Sequence, residues 1–151
     1  MIVYLISKMR KNQIFVHKLT KTIKESDNNI FSLLTMNHHP IHLDIEFAKK
    51  SRFKKILVNG TLVFSLSVGI TVYEISFNAV ANLEYSEIKH LSPVFLNDTI
   101  SVKSKILSIS RVSKKDYRVV EIQSETFNQN KIKVLRFKRK ILIKKNMLHG
   151  F

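Results

Sequence analysis

The stretch that decides the fold is Thr61–Tyr73, which reads TLVFSLSVGITVY. It contains no charged residue and is apolar almost all round, as expected of a helix that other structure encloses. The uncharged segment extends back to Ile56 and is about long enough to cross a bilayer, but it includes Asn59, Gly60 and several serines and threonines. We therefore predict a buried core helix with Gly60 at its N-terminus.

The hydrophobic pattern changes after this helix. From Ala79 onward apolar residues recur at every second position, as where Ile100 and Val102 alternate with serine and lysine, which is the period of half-exposed strands. Two polar stretches, SRVSKKD at 110–116 and FNQNK at 127–131, are expected turns. The sequence thus predicts an α+β fold, in which an antiparallel meander of about three or four strands wraps one helix.

Composition limits the domain count and the chemistry. The chain has 151 residues without an internal repeat or a Pro/Gly-rich linker, so we expect residues 1–151 to form a single domain. It has no cysteine, which excludes disulfides, thiolate zinc sites and cysteine nucleophiles. A chain without cysteine fits a reducing compartment, and we expect a cytoplasmic protein that does not enter the membrane.

The formal net charge of +15 raises the possibility of a nucleic-acid or anionic membrane partner, because clustered Lys and Arg attract phosphate. The lysines are scattered along the chain, however, while isoleucine and asparagine are also abundant and alanine and glycine are scarce. Such a skew is more typical of genome-wide codon bias than of selection for a binding patch. Nucleic-acid binding is therefore the weakest of the functions considered.

Three further elements are expected before the core helix. The apolar stretch 1–12 predicts a first strand, and the polar cluster Ser26–Asn28 is expected to cap a short helix. Asp44 is expected to cap a second short helix. Three apolar residues of that segment are expected to face inward: Ile45, Ala48 and Phe53.

The run Asn37–Asp44, NHHPIHLD, holds three of the six histidines. Pro40 fixes its own φ and pushes His39 toward an extended conformation, so the backbone is rigid enough to aim side chains. We expect no metal here, because the histidines lack the helical HxxxH spacing and a clear distant ligand. The plain alternative is that His38 and His39 are hydrogen-bonding loop residues and that Asp44 serves only as a cap.

The segment 40–62, PIHLDIEFAKKSRFKKILVNGTL, resembles the hydratase signature of the MaoC-like dehydratases, which include the (R)-specific enoyl-CoA hydratases. A weaker likeness continues through 92–102, SPVFLNDTISV, with Asn97 where the family often has glycine. The resemblance implies a hot-dog fold, in which an antiparallel sheet wraps a long central helix. It also implies a homodimer or higher homo-oligomer acting on an acyl-CoA or acyl-carrier-protein thioester, with no cofactor except the coenzyme A of the substrate.

The resemblance also assigns roles to residues. In such enzymes an acidic residue and a histidine five positions later hold the water that adds to the enoyl double bond, and a glycine amide polarises the thioester carbonyl. Here those positions are Asn37, His42 and Gly60. His42 suits acid–base chemistry because the ordinary histidine pKa lies near working pH. The Gly60 amide would be a donor at a helix start; the alternative is that Gly60 serves a tight turn with positive φ.

Asn37 departs from the family pattern, which ordinarily has a carboxylate there. An amide can hold a water molecule but cannot take its proton. His39 also stands where the family usually has asparagine. One hypothesis is that His39 contacts the substrate or its water and compensates for the missing carboxylate. The other is that hydration is reduced or absent, which would leave a non-catalytic acyl-thioester-binding protein.

Overall fold

The computed structural model describes residues 9–113 and 116–144. In these residues five strands and four α-helices follow one another along the chain, and a π-helical turn, Val72–Ser76, follows the last helix. The elements are β1 (Ile14–Thr22), α1 (Glu25–Leu34), α2 (Pro40–Leu43), α3 (Ile45–Lys50), α4 (Gly60–Ile70), β2 (Ala79–His90), β3 (Thr99–Arg111), β4 (Tyr117–Phe127) and β5 (Lys133–Lys144).

The strands form one antiparallel five-stranded sheet in the order β1-β3-β4-β5-β2. Strands β3, β4 and β5 form the expected meander, and the stretch 128–131 is the turn between β4 and β5, closed by the Asn128 N–H, which donates to the Ile132 carbonyl at 3.0 Å. The simple meander prediction is wrong for β2, which precedes β3 in the chain but pairs with β5 at the far edge.

Helix α4 packs its buried residues against the inner face of the sheet. Leu62 and Val63 belong to the same buried cluster as Val102 and Phe137. Burying an aliphatic or aromatic side chain of this size stabilises the fold by about 1.5–3 kcal/mol. The alternation predicted for β3 is confirmed between Ile100 and Ile106, where buried positions alternate with more exposed ones.

The predicted core helix is confirmed with two differences. It begins at Gly60 as expected, with Asn59 as N-cap, and its α-helical part ends at Ile70 before the π-helical turn. It is not enclosed on every side, because Thr61, Ser65 and Gly69 lie on one exposed stripe with helical spacing. In the part of the chain that the structure describes, no helix has the length and hydropathy needed to cross a bilayer.

The segments before α4 differ more from expectation. The strand expected at 1–12 falls largely outside the described residues, and β1 at Ile14–Thr22 was not anticipated. Helix α1 begins before the polar cluster 26–28, with Lys24 as N-cap and Asp27 in the first turn. Asp44 caps α3 as expected, its Oδ1 accepting from the Phe47 N–H at 3.0 Å.

The inward face predicted for the second short helix is correct only in part. Ala48 is fully buried, but Ile45 is 54% exposed, and Ala48 is the one residue of α3 that is buried. Phe53 lies beyond the helix end and packs at 6.3 Å, ring centroid to ring centroid, from Phe95. The helix is too short, at 6 residues, to present all three residues on one side.

Candidate functional site

Asn37 is placed by the C-terminal turn of α1. Met36 takes a left-handed conformation, with φ of 58°, and its N–H donates to the Leu33 carbonyl at 3.2 Å. The Asn37 N–H donates to the Ser32 carbonyl at 3.0 Å. These two bonds form the Schellman arrangement that ends many helices. The backbone of Asn37 is therefore fixed by α1, while its half-buried side chain remains available to a ligand.

His39 and Pro40 begin the short helix α2. Pro40 occupies the first helical position, where its missing N–H costs nothing. His39 is the N-cap, and its Nδ1 accepts from the Ile41 N–H at 3.2 Å. Because Nδ1 is an acceptor here, the neutral ring carries its proton on Nε2. The exposed His39 ring lies 6.1 Å from the ring of His42, centroid to centroid.

His42 is held at both its backbone and its ring. Its Nδ1 lies 2.7 Å from the Leu57 carbonyl oxygen. A carbonyl can only accept, so Nδ1 must carry a proton and donate it. In the neutral ring Nε2 therefore keeps its lone pair and is the atom free to act as a base. The Leu57 N–H donates in turn to the Ile41 carbonyl at 3.2 Å, which ties the two segments together.

Gly60 is the first residue of α4, so its N–H has no partner within the helix. No acceptor for it occurs among residues 9–113 and 116–144. The alternative reading, a turn that needs positive φ, is wrong, because Gly60 has no positive φ. The reason for glycine is space: a Cβ built at this position would lie 2.9 Å from Cε1 of His90.

A cleft of about 310 Å³ opens at Gly60. Its walls include Leu57, whose carbonyl holds His42, and also Arg52, Phe53 and His90. Asn37 and His42 do not belong to its lining, so Gly60 alone of the three expected catalytic positions borders the cleft directly. The structure thus joins His42 to the cleft wall through Leu57, whereas Asn37 is not part of the cleft lining.

His90 is a site residue that the sequence did not indicate. It is the last residue of β2, and its ring lies against Gly60 at the cleft. The two residues are far apart in the chain, and the family likeness that begins at Ser92 does not include His90. His90 pairs with Leu135 of β5, and in this position its ring lies beside the start of α4.

A second cleft, of about 280 Å³, has an apolar floor and a basic rim. Its floor includes Ile56 and Phe95, and its rim carries Lys49, Lys54 and Lys55. The Lys55 ammonium lies 4.2 Å from the centroid of the Phe95 ring. Within the described residues, no group of three or more His, Asp or Glu side chains is arranged to hold a metal ion.

The chain belongs to the MaoC-like dehydratase family. The family model described as "MaoC like domain" matches residues 8–128. The match includes the run NHHPIHLD, helix α4 and strands β1 to β4. The resemblance drawn from residues 40–62 and 92–102 is thereby confirmed.

Two curated relatives are enzymes by name. The chain is 29% identical over 136 residues to mesaconyl-CoA hydratase of Cereibacter sphaeroides, covering 90% of this chain and 40% of that protein. It is also 29% identical over 136 residues to β-methylmalyl-CoA dehydratase of Chloroflexus aurantiacus, covering 90% of this chain and 39% of that protein. The chain therefore spans about two fifths of the length of these two curated relatives.

Solved structures confirm the hot-dog fold. A MaoC domain protein from Chloroflexus aurantiacus superposes with a TM-score of 0.89 at 28% identity, covering 95% of this chain and 41% of that one. A conserved protein of Mycobacterium tuberculosis, described as having a double hot-dog fold, superposes with a TM-score of 0.83 at 16% identity. That alignment covers 95% of this chain and 44% of the other, and at such low identity it shows the fold alone.

Proposed function

We propose that this chain catalyses the reversible hydration of an enoyl-thioester to a 3-hydroxyacyl-thioester. In the forward direction Nε2 of His42 takes a proton from water while the water oxygen bonds to the β-carbon. The imidazolium then returns a proton to the α-carbon, so that water has been added and the imidazole is regenerated. The enolate oxygen that develops between these steps is stabilised by the Gly60 N–H.

The observation that carries this proposal is the hydrogen bond from His42 Nδ1 to the Leu57 carbonyl, at 2.7 Å. It sets the tautomer in which Nε2 is the basic nitrogen, as a general base requires. The unpaired N–H of Gly60 supports the same chemistry, because a donor at a helix start is favoured by the helix dipole. The hydrogen bonds of Leu57 connect the segment that contains His42 with the segment that leads to Gly60. These two segments supply the two groups that the reaction needs, a base at Nε2 of His42 and a donor at the Gly60 N–H.

Asn37 is proposed to position the water molecule through its amide. It cannot take the proton, so the acid–base work falls on His42 alone. The protonated Nε2 of His39 is a donor near the His42 ring, and we propose that it contacts the substrate or the water. The curated relatives named as a CoA hydratase and a CoA dehydratase support the reaction class.

Coenzyme A is the proposed carrier of the acyl group, with acyl carrier protein as the alternative. The support is the basic rim formed by Lys49, Lys54 and Lys55, since phosphate groups favour such cations. A combined charge-removing variant, Lys54→Gln with Lys55→Gln, should raise KM for a coenzyme A thioester and leave KM for the matching pantetheine thioester unchanged. An equal change in both values would remove these lysines from the phosphate site.

A second copy of the chain is the proposed partner. Edge strand β2 exposes four large apolar side chains, and an edge of this kind is a common pairing surface: Val80, Leu83, Tyr85 and Ile88. The relatives of about twice this length that share the fold are also consistent with two hot-dog units working together. Sedimentation at micromolar concentration should give a dimer or higher homo-oligomer, and a monomer would contradict this part. A cytoplasmic location and a role in fatty acid metabolism belong to the same proposal.

The second candidate is a non-catalytic protein that binds acyl-thioesters on this fold. The observation that favours it is Asn37, which lacks the carboxylate that the family ordinarily has. Calorimetry would then show binding of acyl-CoA, while the enoyl absorbance of crotonyl-CoA and mesaconyl-CoA would stay constant.

The two candidates are separated by one pair of assays. Wild-type protein and Asn37→Asp are each mixed with crotonyl-CoA and with mesaconyl-CoA, and the enoyl absorbance is followed. The hydratase proposal expects turnover by the wild type and a higher rate for Asn37→Asp, because a carboxylate can share the proton transfer. Binding without turnover in both proteins would favour the non-catalytic candidate. Absence of both binding and turnover would contradict both candidates.

A further inference from the structure

The buried face of helix α1 is polar. Asn28 and Ser32 have no exposed surface, whereas their apolar neighbours Ile30, Leu33 and Leu34 are each more than half exposed. A buried amide is costly unless its donors and acceptor are hydrogen-bonded. Asn28 must therefore have hydrogen-bond partners inside the fold.

Asn28 joins the two segments of the proposed site. Its Nδ2 donates to the carbonyl of His42 at 2.8 Å. Its Oδ1 accepts from the N–H of Asn59 at 2.9 Å. The two partners lie 14 and 31 residues further along the chain, so one side chain connects the histidine segment with the residue before Gly60.

Ser32 extends the same contact one helical turn later. Its carbonyl accepts from the Asn37 N–H at 3.0 Å, and its hydroxyl lies 3.4 Å from Nδ2 of Asn59. Residues four apart lie on the same side of a helix. Through this one face, α1 touches the backbone at or beside each expected catalytic position.

We propose that Asn28 is a positioning residue for the hydration reaction, holding the His42 backbone and the Val58–Asn59 peptide, one residue before Gly60, at a fixed separation. This inference rests on the proposed function. The reaction needs Nε2 of His42 and the Gly60 N–H to reach one substrate, and a misplacement of about 1 Å can cost about 100-fold in rate. His42 and Gly60 both lie outside α1, and Asn28 of α1 is bonded to the backbone at or beside each of them. Helix α1 therefore sets the distance between them.

The amide is the side chain that these two contacts require. One partner is a carbonyl and needs a donor, while the other is an N–H and needs an acceptor. An aspartate of the same shape keeps the acceptor for Asn59 but offers no donor to the His42 carbonyl. A serine is too short to reach both partners. Substitution can therefore separate the two contacts.

The test uses three variants and two measurements. Asn28→Asp removes the contact to His42, Asn28→Ser weakens both contacts, and Asn29→Asp makes the same chemical change one residue away, as a control for charge. The steady-state kcat and KM are measured with the best enoyl-CoA substrate, and amide hydrogen exchange is measured at Asn59.

We expect kcat of Asn28→Asp to fall by about 10- to 100-fold, with KM within about twofold of the wild-type value, and Asn29→Asp to keep both values. Exchange at the Asn59 amide should be slow in wild type and in Asn28→Asp, which retains the acceptor, and faster in Asn28→Ser. A purely structural role predicts no such split between kcat and KM.

Several outcomes would overturn the proposal. Unchanged kcat in a folded Asn28→Asp, or in a folded Asn28→Ser if the first variant does not fold, would show that positioning does not depend on this amide. Failure of both variants to fold would make Asn28 a residue of stability alone, which also contradicts the proposal. If wild type hydrates no enoyl-thioester, the proposed function fails. The hydrogen bond from the Asn59 N–H to Asn28 is tested separately, because exchange at the Asn59 amide should still be slow in wild type and faster in Asn28→Ser.

Discussion

The two ends of helix α4 bury polar side chains in different ways. At the N-terminal end Asn28 is fully buried and Asn59 almost so, and the Asn28 amide both donates and accepts. At the C-terminal end Arg139 is also fully buried, and its Nη2 donates to Oγ1 of Thr71 at 3.0 Å. Its Nε and Nη1 have no acceptor among the described residues. The Asn28 amide thus has both a donor and an acceptor partner, whereas two nitrogens of the Arg139 guanidinium have none among the described residues.

The groups near Arg139 belong to the core between helix and sheet. His17 lies there, with Nε2 2.8 Å from the Ser104 hydroxyl and Nδ1 3.1 Å from a carboxylate oxygen of Glu74. Burial lowers the pKa of the Arg139 guanidinium, because its charged form has left water, and this outweighs the opposing influence of Tyr85. No carboxylate forms an ion pair with Arg139 among the described residues.

The comparison separates two uses of a buried polar group. At the N-terminal end the polar contacts connect segments that carry the proposed chemistry, so breaking them should change activity. At the C-terminal end they connect the helix to strands away from the cleft, so breaking them should change stability and leave activity alone. The following substitutions are expected to have effects of decreasing size.

Among the substitutions that compare the two ends of α4, the largest effect is expected at Gly60. Gly60→Ala places a Cβ 2.9 Å from Cε1 of His90, so the His90 ring must move within the cleft. We expect kcat/KM to fall by up to about 100-fold, as small misplacements at a reacting centre do. In a His90→Ala background the same substitution should cost much less, because the clash is absent. A double-mutant cycle measures this coupling, and equal losses in both backgrounds would contradict the spatial reason for glycine.

A smaller effect is expected on the free energy of unfolding, and it should differ between the two ends of helix α4. Arg139→Met should leave the free energy of unfolding unchanged or raise it by about 1–4 kcal/mol, because it removes an incompletely bonded charge. Thr71 stays satisfied, since its hydroxyl also donates to the Val68 carbonyl at 2.7 Å. Asn28→Leu at the other end should lower that free energy by about 1–3 kcal/mol, because the His42 carbonyl and the Asn59 N–H lose their partner.

Urea unfolding of both variants measures these changes, and activity assays complete the comparison. Arg139→Met should keep wild-type kcat. A large loss of stability in Arg139→Met would show that its guanidinium is bonded more fully than the described contacts indicate.

The smallest effect concerns pH. Burial lowers the pKa of His17 from its ordinary value of 6.5, and this outweighs the opposing influence of the Glu74 carboxylate. The unfolded chain therefore binds the proton more readily than the folded protein. The contribution of His17 to stability is fully present above pH 6.5 and is lost as pH falls through the lower folded pKa. His17→Gln should flatten the dependence of the unfolding free energy on pH below 6.5, and an unchanged slope would contradict this origin.

The helix–sheet core was predictable because its residues follow simple periods. Thr61–Tyr73 is apolar and uncharged, and β3 alternates from Ile100 to Ile106, so local pattern and global fold agree. The position of β2 was not predictable, because the sequence of a strand does not determine which neighbouring strand it pairs with. That pairing depends on how the whole sheet packs.

The candidate site was predictable only where a motif carried it. Asn37, His42 and Gly60 belong to segments that resemble a family, and the cap at Asp44 follows from local chemistry. The sequence indicates Asn28 only as part of a capping cluster, because its actual partners lie 14 and 31 residues away. Contacts of this length leave no period or spacing in the sequence.

The central claim is that His42 is the acid–base group of an enoyl-thioester hydratase, and one assay tests it directly. Wild type, His42→Ala and the neighbouring control His38→Ala are compared on crotonyl-CoA and mesaconyl-CoA by loss of enoyl absorbance. We predict that His42→Ala lowers the rate by about 10²- to 10⁴-fold without a change in folding, while His38→Ala keeps the wild-type rate. A folded His42→Ala protein that hydrates either thioester at the wild-type rate would contradict the account.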